Sequence, residues 1–143
     1  MTITSDQIRS EIKRVWPGSI FRKVTVVLSD TIWEPESDES LARFLDAASI
    51  HHMPFIDNVS ACEEFSIALM HASRRRDLND YQNGLIKWNR PLGIVSGTMH
   101  DGIKEPHWWN VAITETGLKI IEPQTSKVWV PDRTRDKIFF LMM

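Results

Sequence analysis

The sequence has few of the features that commonly stabilise or localise a small protein. It contains one cysteine, Cys62, in 143 residues, so an internal disulfide is excluded and packing must stabilise the fold. Neither sign of charge is in large excess, and a formal net charge of −2 predicts no nucleic-acid partner and no anionic membrane partner. No apolar run approaches the roughly 18 residues of a membrane-spanning helix.

The composition is that of an ordinary globular protein. Apolar residues make up 42 % of the chain and charged residues 25 %, which predicts one soluble domain over residues 1–143. The first residues are polar and helical in pattern, without the basic, apolar and small-residue order of an export signal. We therefore predict a cytoplasmic protein, or one that is exported without a cleaved signal.

Helical patterns dominate the first half of the chain. Thr4 and Gln7 have the spacing of a capping box, and the apolar residues that follow at helical spacing predict a first helix. A β-branched stretch, 23–29, predicts a strand. A second helix is predicted from the apolar face over 41–48.

The third helix has the clearest start signal. Ser60 and Glu63 form an S-x-x-E capping box, which predicts Ser60 as the N-cap and Cys62 as the second helical residue. Three arginines, 74–76, are predicted to end this helix, where cations suit the helix dipole and face solvent. A polar loop is predicted over 76–84.

The second half of the chain changes to strand periodicity. Short β-type runs separated by turn residues predict strands at 92–98, 107–114, 118–125 and 127–130. Residues 115–117 predict a tight hairpin turn, and the apolar C-terminal tail is expected to pack back onto the domain. The fold class predicted is α+β, with N-terminal helices packed on a C-terminal antiparallel sheet.

Three side chains have the types and placement of a nucleophilic triad. Cys62 lies in the first turn of a helix, where the dipole stabilises a thiolate, although Glu63 and Glu64 oppose a second negative charge. A cationic partner is then needed, and His107 at the start of its strand is the best candidate. The hairpin brings Glu122 onto the neighbouring strand, opposite or diagonal to His107, where its carboxylate orients the imidazole.

The chain order of cysteine, histidine and glutamate is that of papain-type enzymes, and four motifs add a family resemblance. They are "ACEEFSIALMHA", "GIVSGTMHDG", "HWWNVAI" and "IEPQT". Together they resemble the papain-like catalytic domain family of the mushroom lectin Marasmius oreades agglutinin, whose pattern small phage and bacterial proteins share. The resemblance covers residues 57–130, leaves 1–50 unmatched, and implies a papain-like fold with Cys62, His107 and Glu122 as a protease triad.

Further residues are candidates for supporting roles around this triad. The backbone N–H of Cys62 is a natural oxyanion donor, and the side-chain amide of Asn58 or Gln124 is a second candidate. Gln124 shares its predicted strand face with Glu122, so it either steadies the triad or bonds only to backbone. Trp109 lies on the face of the histidine and is expected to wall the substrate cleft, whereas Trp108 is expected to fill the core.

Calcium is the cofactor that the resemblance implies, and the sequence itself requires none. The chain lacks a dense run of aspartates, which leaves Asp57 and Asp101 as candidate calcium ligands. The remaining histidines show no metal-ligand spacing, so no zinc site is predicted.

These observations predict a cysteine peptidase that hydrolyses a peptide or protein substrate. Cys62 would attack the peptide carbonyl, His107 would transfer the proton, and Glu122 would orient His107. Two alternatives remain open. One is a non-catalytic protein-binding module on the same scaffold, such as a phage-type inhibitor, and the other is acyl transfer to an amine, as in transglutaminases. The sequence does not indicate an oligomeric state.

Overall fold

The structure is a computed structural model that describes residues 1–17, 24–56, 61–98, 107–132 and 137–143. Within these ranges the helices are α1 (Ser5–Val15), α2 (Asp38–Ala48) and α3 (Cys62–Gln82), and a 3-10 turn spans Ile50–His52. The strands are β1 (Ile3–Thr4), β2 (Thr25–Val27), β3 (Ile32–Trp33), β4 (Leu92–Thr98), β5 (His107–Thr114), β6 (Gly117–Glu122), β7 (Lys127–Trp129) and β8 (Lys137–Met142). In the described part of the chain, no helix combines the length and apolarity that crossing a membrane requires.

The first helix begins as its capping signal predicts. Thr4 Oγ1 accepts a hydrogen bond from the Gln7 backbone N–H at 3.3 Å, and Gln7 Oε1 accepts one from the Thr4 N–H at 2.7 Å. These two bonds satisfy N–H groups that have no partner inside the helix. Ile8, Ile12 and Val15 form the buried stripe of α1, so the periodicity prediction is confirmed.

The start of α3 differs from its prediction by one residue. Ala61 is the N-cap, and its backbone N–H donates to the Glu64 carboxylate at 3.0 Å, which makes Cys62 the first helical residue. The capping acid is therefore Glu64, three residues after Ala61, and the predicted pair of Ser60 and Glu63 is wrong. Ser60 itself lies outside the described residues.

The end of α3 lies well beyond the predicted stop. The helix continues through Gln82, so the arginines at 74–76 lie inside it and the predicted loop over 76–84 is largely wrong. The buried residues of α3 include Phe65, Leu69, Ser73 and Asp77, at steps of four residues. The last two are polar, so a search for apolar residues ends too early even though the buried stripe continues.

A six-stranded sheet organises the second half of the chain. Its strand order is β2-β8-β4-β5-β6-β7, and every neighbouring pair is antiparallel except β2 with β8. The tail was expected to pack back on the domain, and it does so as β8, inserted between β2 and β4. Gly93 permits the close approach of β8, since a Cβ at that position would overlap the Met142 backbone carbonyl.

The helices cover both faces of this sheet. The core on the α1 face contains Ile8, Ile12, Trp33, Trp109 and Val111, among other residues. The core on the opposite face joins α2 and α3 to the sheet; its buried members are Leu41, Phe44, Leu45, Leu69, Leu92, Ala112 and Ile121. The coarse α+β prediction is confirmed. The C-terminal strands β4 to β8 pair antiparallel, as predicted, and the sheet also includes β2, which is parallel to β8. The finer papain-like assignment stays a prediction.

Candidate functional site

The predicted histidine and glutamate lie together at the ends of β5 and β6. The two strands pair antiparallel through the predicted turn, with Thr114 opposite Gly117, whose φ of 115° suits glycine. His107 Nε2 lies 3.1 Å from Glu122 Oε2, and the two side chains are 16 % and 14 % exposed. The carboxylate therefore fixes one ring nitrogen of His107 and leaves Nδ1 without this partner.

The second Glu122 oxygen stabilises the turn that follows β6. Glu122 Oε1 accepts from the Gln124 backbone N–H at 3.1 Å, and the Glu122 carbonyl accepts from the Ser126 N–H at 2.8 Å. Gln124 therefore lies in a turn and not on the strand face predicted for it, because β6 ends at Glu122. Ser126 Oγ lies 2.9 Å from His51 Nδ1, which joins the 3-10 turn to this region.

The third predicted member, Cys62, is not joined to the other two. Among the described residues no hydrogen bond links Cys62 Sγ to His107, and Sγ instead lies 3.7 Å from Glu63 Oε2. Burial raises the pKa of the Cys62 thiol, the Trp108 backbone N–H opposes that shift, and the Glu63 carboxylate adds to it. An activated nucleophile needs the opposite direction of shift.

The two tryptophans of β5 occupy different environments. Trp109 is 0 % exposed in the core on the α1 face, and its ring contacts His107 edge-on with centroids 4.6 Å apart. Its predicted role as a cleft wall is therefore wrong, because no part of the ring reaches solvent. Trp108 is half-buried and lies against Phe140. Next to it, Asn110 donates to the carbonyls of Ser66 and Gly93, which holds α3 on the sheet.

The remaining predicted residues cannot be placed. Asn58, the candidate oxyanion donor, and Asp57 and Asp101, the candidate calcium ligands, lie outside the described residues. Within the described ranges, no group of three or more histidine, cysteine or acidic side chains could hold a metal ion.

The other end of α3 carries a network of buried charges that the sequence analysis missed. Asp77, whose side chain is 0 % exposed, accepts from Arg90 Nη1 at 2.7 Å and from the Arg90 backbone N–H at 2.9 Å. Arg90 Nη1 also lies 2.8 Å from Asp80. Arg76 contacts both oxygens of Glu36 at 2.9 Å. Burial raises the pKa of the Asp77 carboxyl, and the bonds from Arg90 oppose that shift.

An open groove lies directly beside this network. It has a volume of about 430 Å³ and is lined by Asp30, Ile32, Arg74, Asp77, Leu78, Tyr81, Ile86, Lys87, Trp88 and Asn89. We call it the Trp88 groove. Trp88 and Tyr81 are 44 % and 62 % exposed and line the same groove, so they give it an exposed aromatic surface.

The loop that carries Trp88 is held by hydrogen bonds along its length. Asn89 Nδ2 donates to Asp30 at 3.0 Å, and the Asn89 carbonyl accepts from the Glu34 N–H at 3.0 Å. The Lys87 N–H donates to the Glu34 carboxylate at 3.1 Å. Arg74 Nη1 donates to the Arg90 carbonyl at 3.2 Å, so the aromatic side chain stands on a fixed backbone.

A sequence signal for this region existed. Arg74 and Asp77 lie at i,i+3, and Arg76 and Asp80 lie at i,i+4, so both pairs place opposite charges at helical spacing. Gly84 marks the turn after the helix with a φ of 71°. The prediction that the arginines at 74–76 end the helix in solvent therefore missed the extra helical turns up to Gln82 and the loop that follows them.

Comparisons with known proteins give the fold but no family. No protein-family model matches this sequence, and no curated protein matches it. Among solved structures, one described as a PSL1a–E64 complex superposes with a TM-score of 0.76 at 15 % identity, over 99 % of this chain and 50 % of that one. A Polyporus squamosus lectin bound to the human-type influenza-binding epitope Neu5Acα2-6Galβ1-4GlcNAc gives a TM-score of 0.73 at 15 % identity, over 99 % and 49 %. This chain spans about half the length of each.

The predictions of a cysteine peptidase, its triad chemistry and its peptide or protein substrate are contradicted. Of the two similar structures, one is described as a lectin bound to a glycan, and neither description names a peptidase family. The local reason is that the Cys62 thiol bonds to Glu63 and not to His107, and its pKa is raised. Across the residues that the structure describes, His107 therefore contacts Glu122 but makes no hydrogen bond to Cys62, the nucleophile that it is predicted to activate.

Proposed function

We propose that this chain is a carbohydrate-binding module whose ligand lies in the Trp88 groove. The observation that carries the proposal is the groove itself, in which an exposed tryptophan on a fixed loop stands among hydrogen-bonding side chains. The likeness to a lectin supports the class of ligand. It does not supply the site, which rests on the side chains of this chain.

The groove offers the two kinds of contact that a sugar needs. The C–H faces of a pyranose ring are apolar and pack against aromatic side chains, here Trp88 and Tyr81. Its hydroxyl groups both donate and accept hydrogen bonds. Asn89, Asp30 and Arg74 line the same groove and offer amide, carboxylate and guanidinium groups for those bonds.

Rigidity of the groove favours binding of a weakly held, polar ligand. Ordering a flexible loop costs free energy and so weakens binding. Here the loop is already ordered by the hydrogen bonds that it donates to Glu34, Asp30 and Asp77. Ile86, which is 8 % exposed, anchors the middle of the loop in the interior. The position of Trp88 is therefore set before any ligand arrives.

The proposal also includes a papain-like fold and a relationship to the Marasmius oreades agglutinin family. We infer that the chain shares the papain-like scaffold of the Marasmius oreades agglutinin family without its protease activity. The four sequence motifs support that inference, and so does the likeness to the Polyporus squamosus lectin. Retention of a scaffold with a different use of its surface is common among protein folds.

Binding to defined glycans tests the proposal. We expect calorimetry to detect binding of Neu5Acα2-6Galβ1-4GlcNAc or of its neutral part, Galβ1-4GlcNAc, to the purified protein. Trp88→Ala should weaken that binding about thirtyfold, since truncating an aromatic residue at the centre of a binding site costs about 2 kcal/mol. Phe139→Ala is the matched control, because Phe139 is 47 % exposed on β8 and does not line the groove.

Two results would overturn the proposal. One is the absence of binding by the wild-type protein across a broad glycan array. The other is equal binding by the wild type and Trp88→Ala, with both proteins shown to be folded by circular dichroism.

A further inference from the structure

A second cleft shares part of its lining with the Trp88 groove. This second cleft has a volume of about 280 Å³ and is lined by Met1, Thr2, Glu34, Gly84, Leu85, Ile86, Lys87 and Trp88. The two cavities share Ile86, Lys87 and Trp88. A ligand in one cavity therefore touches the same wall as a ligand in the other.

We propose that the Trp88 groove and the second cleft are two consecutive subsites, so that the ligand is an oligosaccharide of at least two sugar units. The inference rests on the proposed carbohydrate-binding function and deepens it, because it sets the length of the ligand. A module with one cavity would select a single terminal sugar. Two cavities with a common wall select a chain that crosses Trp88.

The shared wall is rigid enough to separate two subsites. Ile86 is buried between the cavities, and the Lys87 N–H is bonded to the Glu34 carboxylate. The Leu85 N–H donates to the Asp80 carbonyl at 2.8 Å, which ties the start of the wall to α3. These bonds hold the backbone of the wall in place between the two cavities.

The two subsites differ in chemistry, which gives the ligand a direction. The Trp88 groove holds Arg74, Asn89 and Asp30, so it suits the sugar unit with the larger number of hydrogen bonds. The second cleft holds a different set of groups: the Glu34 carboxylate, the Thr2 hydroxyl and the side chain of Leu85, which is 68 % exposed. The two sugar units therefore meet different side chains on the two sides of Trp88.

Affinity as a function of chain length tests this inference. Calorimetry would compare N-acetylneuraminic acid and galactose, each alone, with Galβ1-4GlcNAc and the full trisaccharide. We expect the best longer glycan to bind at least about tenfold more tightly than either single sugar, because the second unit adds contacts without a second loss of translational freedom.

A matched pair of leucines assigns that gain to the second cleft. Leu85→Ala should reduce the ratio of the longer-glycan affinity to the single-sugar affinity several-fold. Leu78, which is 59 % exposed, lines the Trp88 groove and not the second cleft. Leu78→Ala should weaken both affinities and leave their ratio unchanged.

The possible failures are distinguishable. If a single sugar binds as tightly as the longer glycans, or if Leu85→Ala leaves the ratio unchanged, the two-subsite inference is wrong while carbohydrate binding stands. If no glycan of any length binds, the proposed function itself is wrong.

Discussion

The two ends of α3 show how similar residue types acquire different roles. The helix has 21 residues and is therefore about 30 Å long, so its ends belong to separate regions of the protein. At its first residue, Cys62 lies beside the Trp108 backbone near the start of β5. The preceding residue of β5, His107, contacts Glu122. At its last turns, Asp77 and Asp80 bind Arg90 beneath the Trp88 groove.

The difference lies in how the polar side chains are paired and in what remains exposed. At the first end, the thiol has a carboxylate neighbour and Trp109 is sealed in the core. At the second end, charges of opposite sign satisfy one another in the interior and Trp88 stands open to solvent. Reactive residue types therefore do not make a site unless packing aligns them, while satisfied charges can hold a binding surface in place.

Replacing one tryptophan from each region gives the largest expected contrast. Trp109→Ala should lower the free energy of unfolding by about 3 to 5 kcal/mol, because it opens a cavity in the core. Trp88→Ala should lower it by about 1 kcal/mol or less, because much of the ring is already in water. Urea denaturation followed by fluorescence measures both. Equal losses of stability would contradict the division between a core tryptophan and a surface tryptophan.

Removing the central charge of the second region should have the next largest effect. Asp77→Asn leaves Arg90 partly buried without its closest carboxylate, and we expect a loss of about 3 kcal/mol in the free energy of unfolding. Asp80 and Glu36 still face Arg90, which keeps the loss at the lower end of the range for broken buried pairs. Asp46→Asn, at an exposed position of α2, is the control and should change stability by about 0.5 kcal/mol or less.

The bond between His107 and Glu122 should contribute a smaller amount. Glu122→Gln removes the charge but keeps an acceptor oxygen, so we expect a loss of about 1 kcal/mol in the free energy of unfolding. Glycan binding at the Trp88 groove should be unchanged. Glu115→Gln, on the same hairpin and exposed, is the control. A loss of glycan binding in Glu122→Gln would place the ligand at the first region instead.

The smallest expected effect concerns Cys62 in the first region. It is a shift in the pH dependence of the rate at which iodoacetamide alkylates the thiol. The raised pKa of Cys62 means that less thiolate is present at a given pH than for an ordinary thiol. The midpoint of the iodoacetamide rate against pH should therefore lie above the usual value of about 8.5. Glu63→Gln removes a nearby negative charge and should move the midpoint down. A wild-type midpoint near neutral pH would restore Cys62 as an activated nucleophile.

Local signals in the sequence were sufficient for much of the fold. The Thr4 capping box placed the start of α1, and the strands at 92–98 and 107–114 have the bounds that their β-type runs predict. The hairpin turn at 115–117 follows from its residue types. Such signals depend on neighbours within a few residues, so they do not require knowledge of the rest of the chain.

The parts that could not be predicted depend on contacts between distant residues. Asp77 extends α3 because Arg90, 13 residues later, satisfies its carboxylate, and neither partner is informative alone. The Trp88 groove likewise requires Asp30 and Glu34 to hold a loop that lies more than 50 residues away in the chain. Local patterns carry no information about such pairings, which explains why the charges were interpreted as solvated.

Helices, strands and turns could be predicted from residue order alone, because propensity and periodicity act over short distances. The same local patterns place His107 and Glu122 on neighbouring strands. The contact of Cys62 with Glu63, the burial of Trp109 and the exposure of Trp88 follow from packing in three dimensions. A side chain's pKa, solvent exposure and reactivity depend on the surfaces that pack around it, and those surfaces come from all parts of the chain.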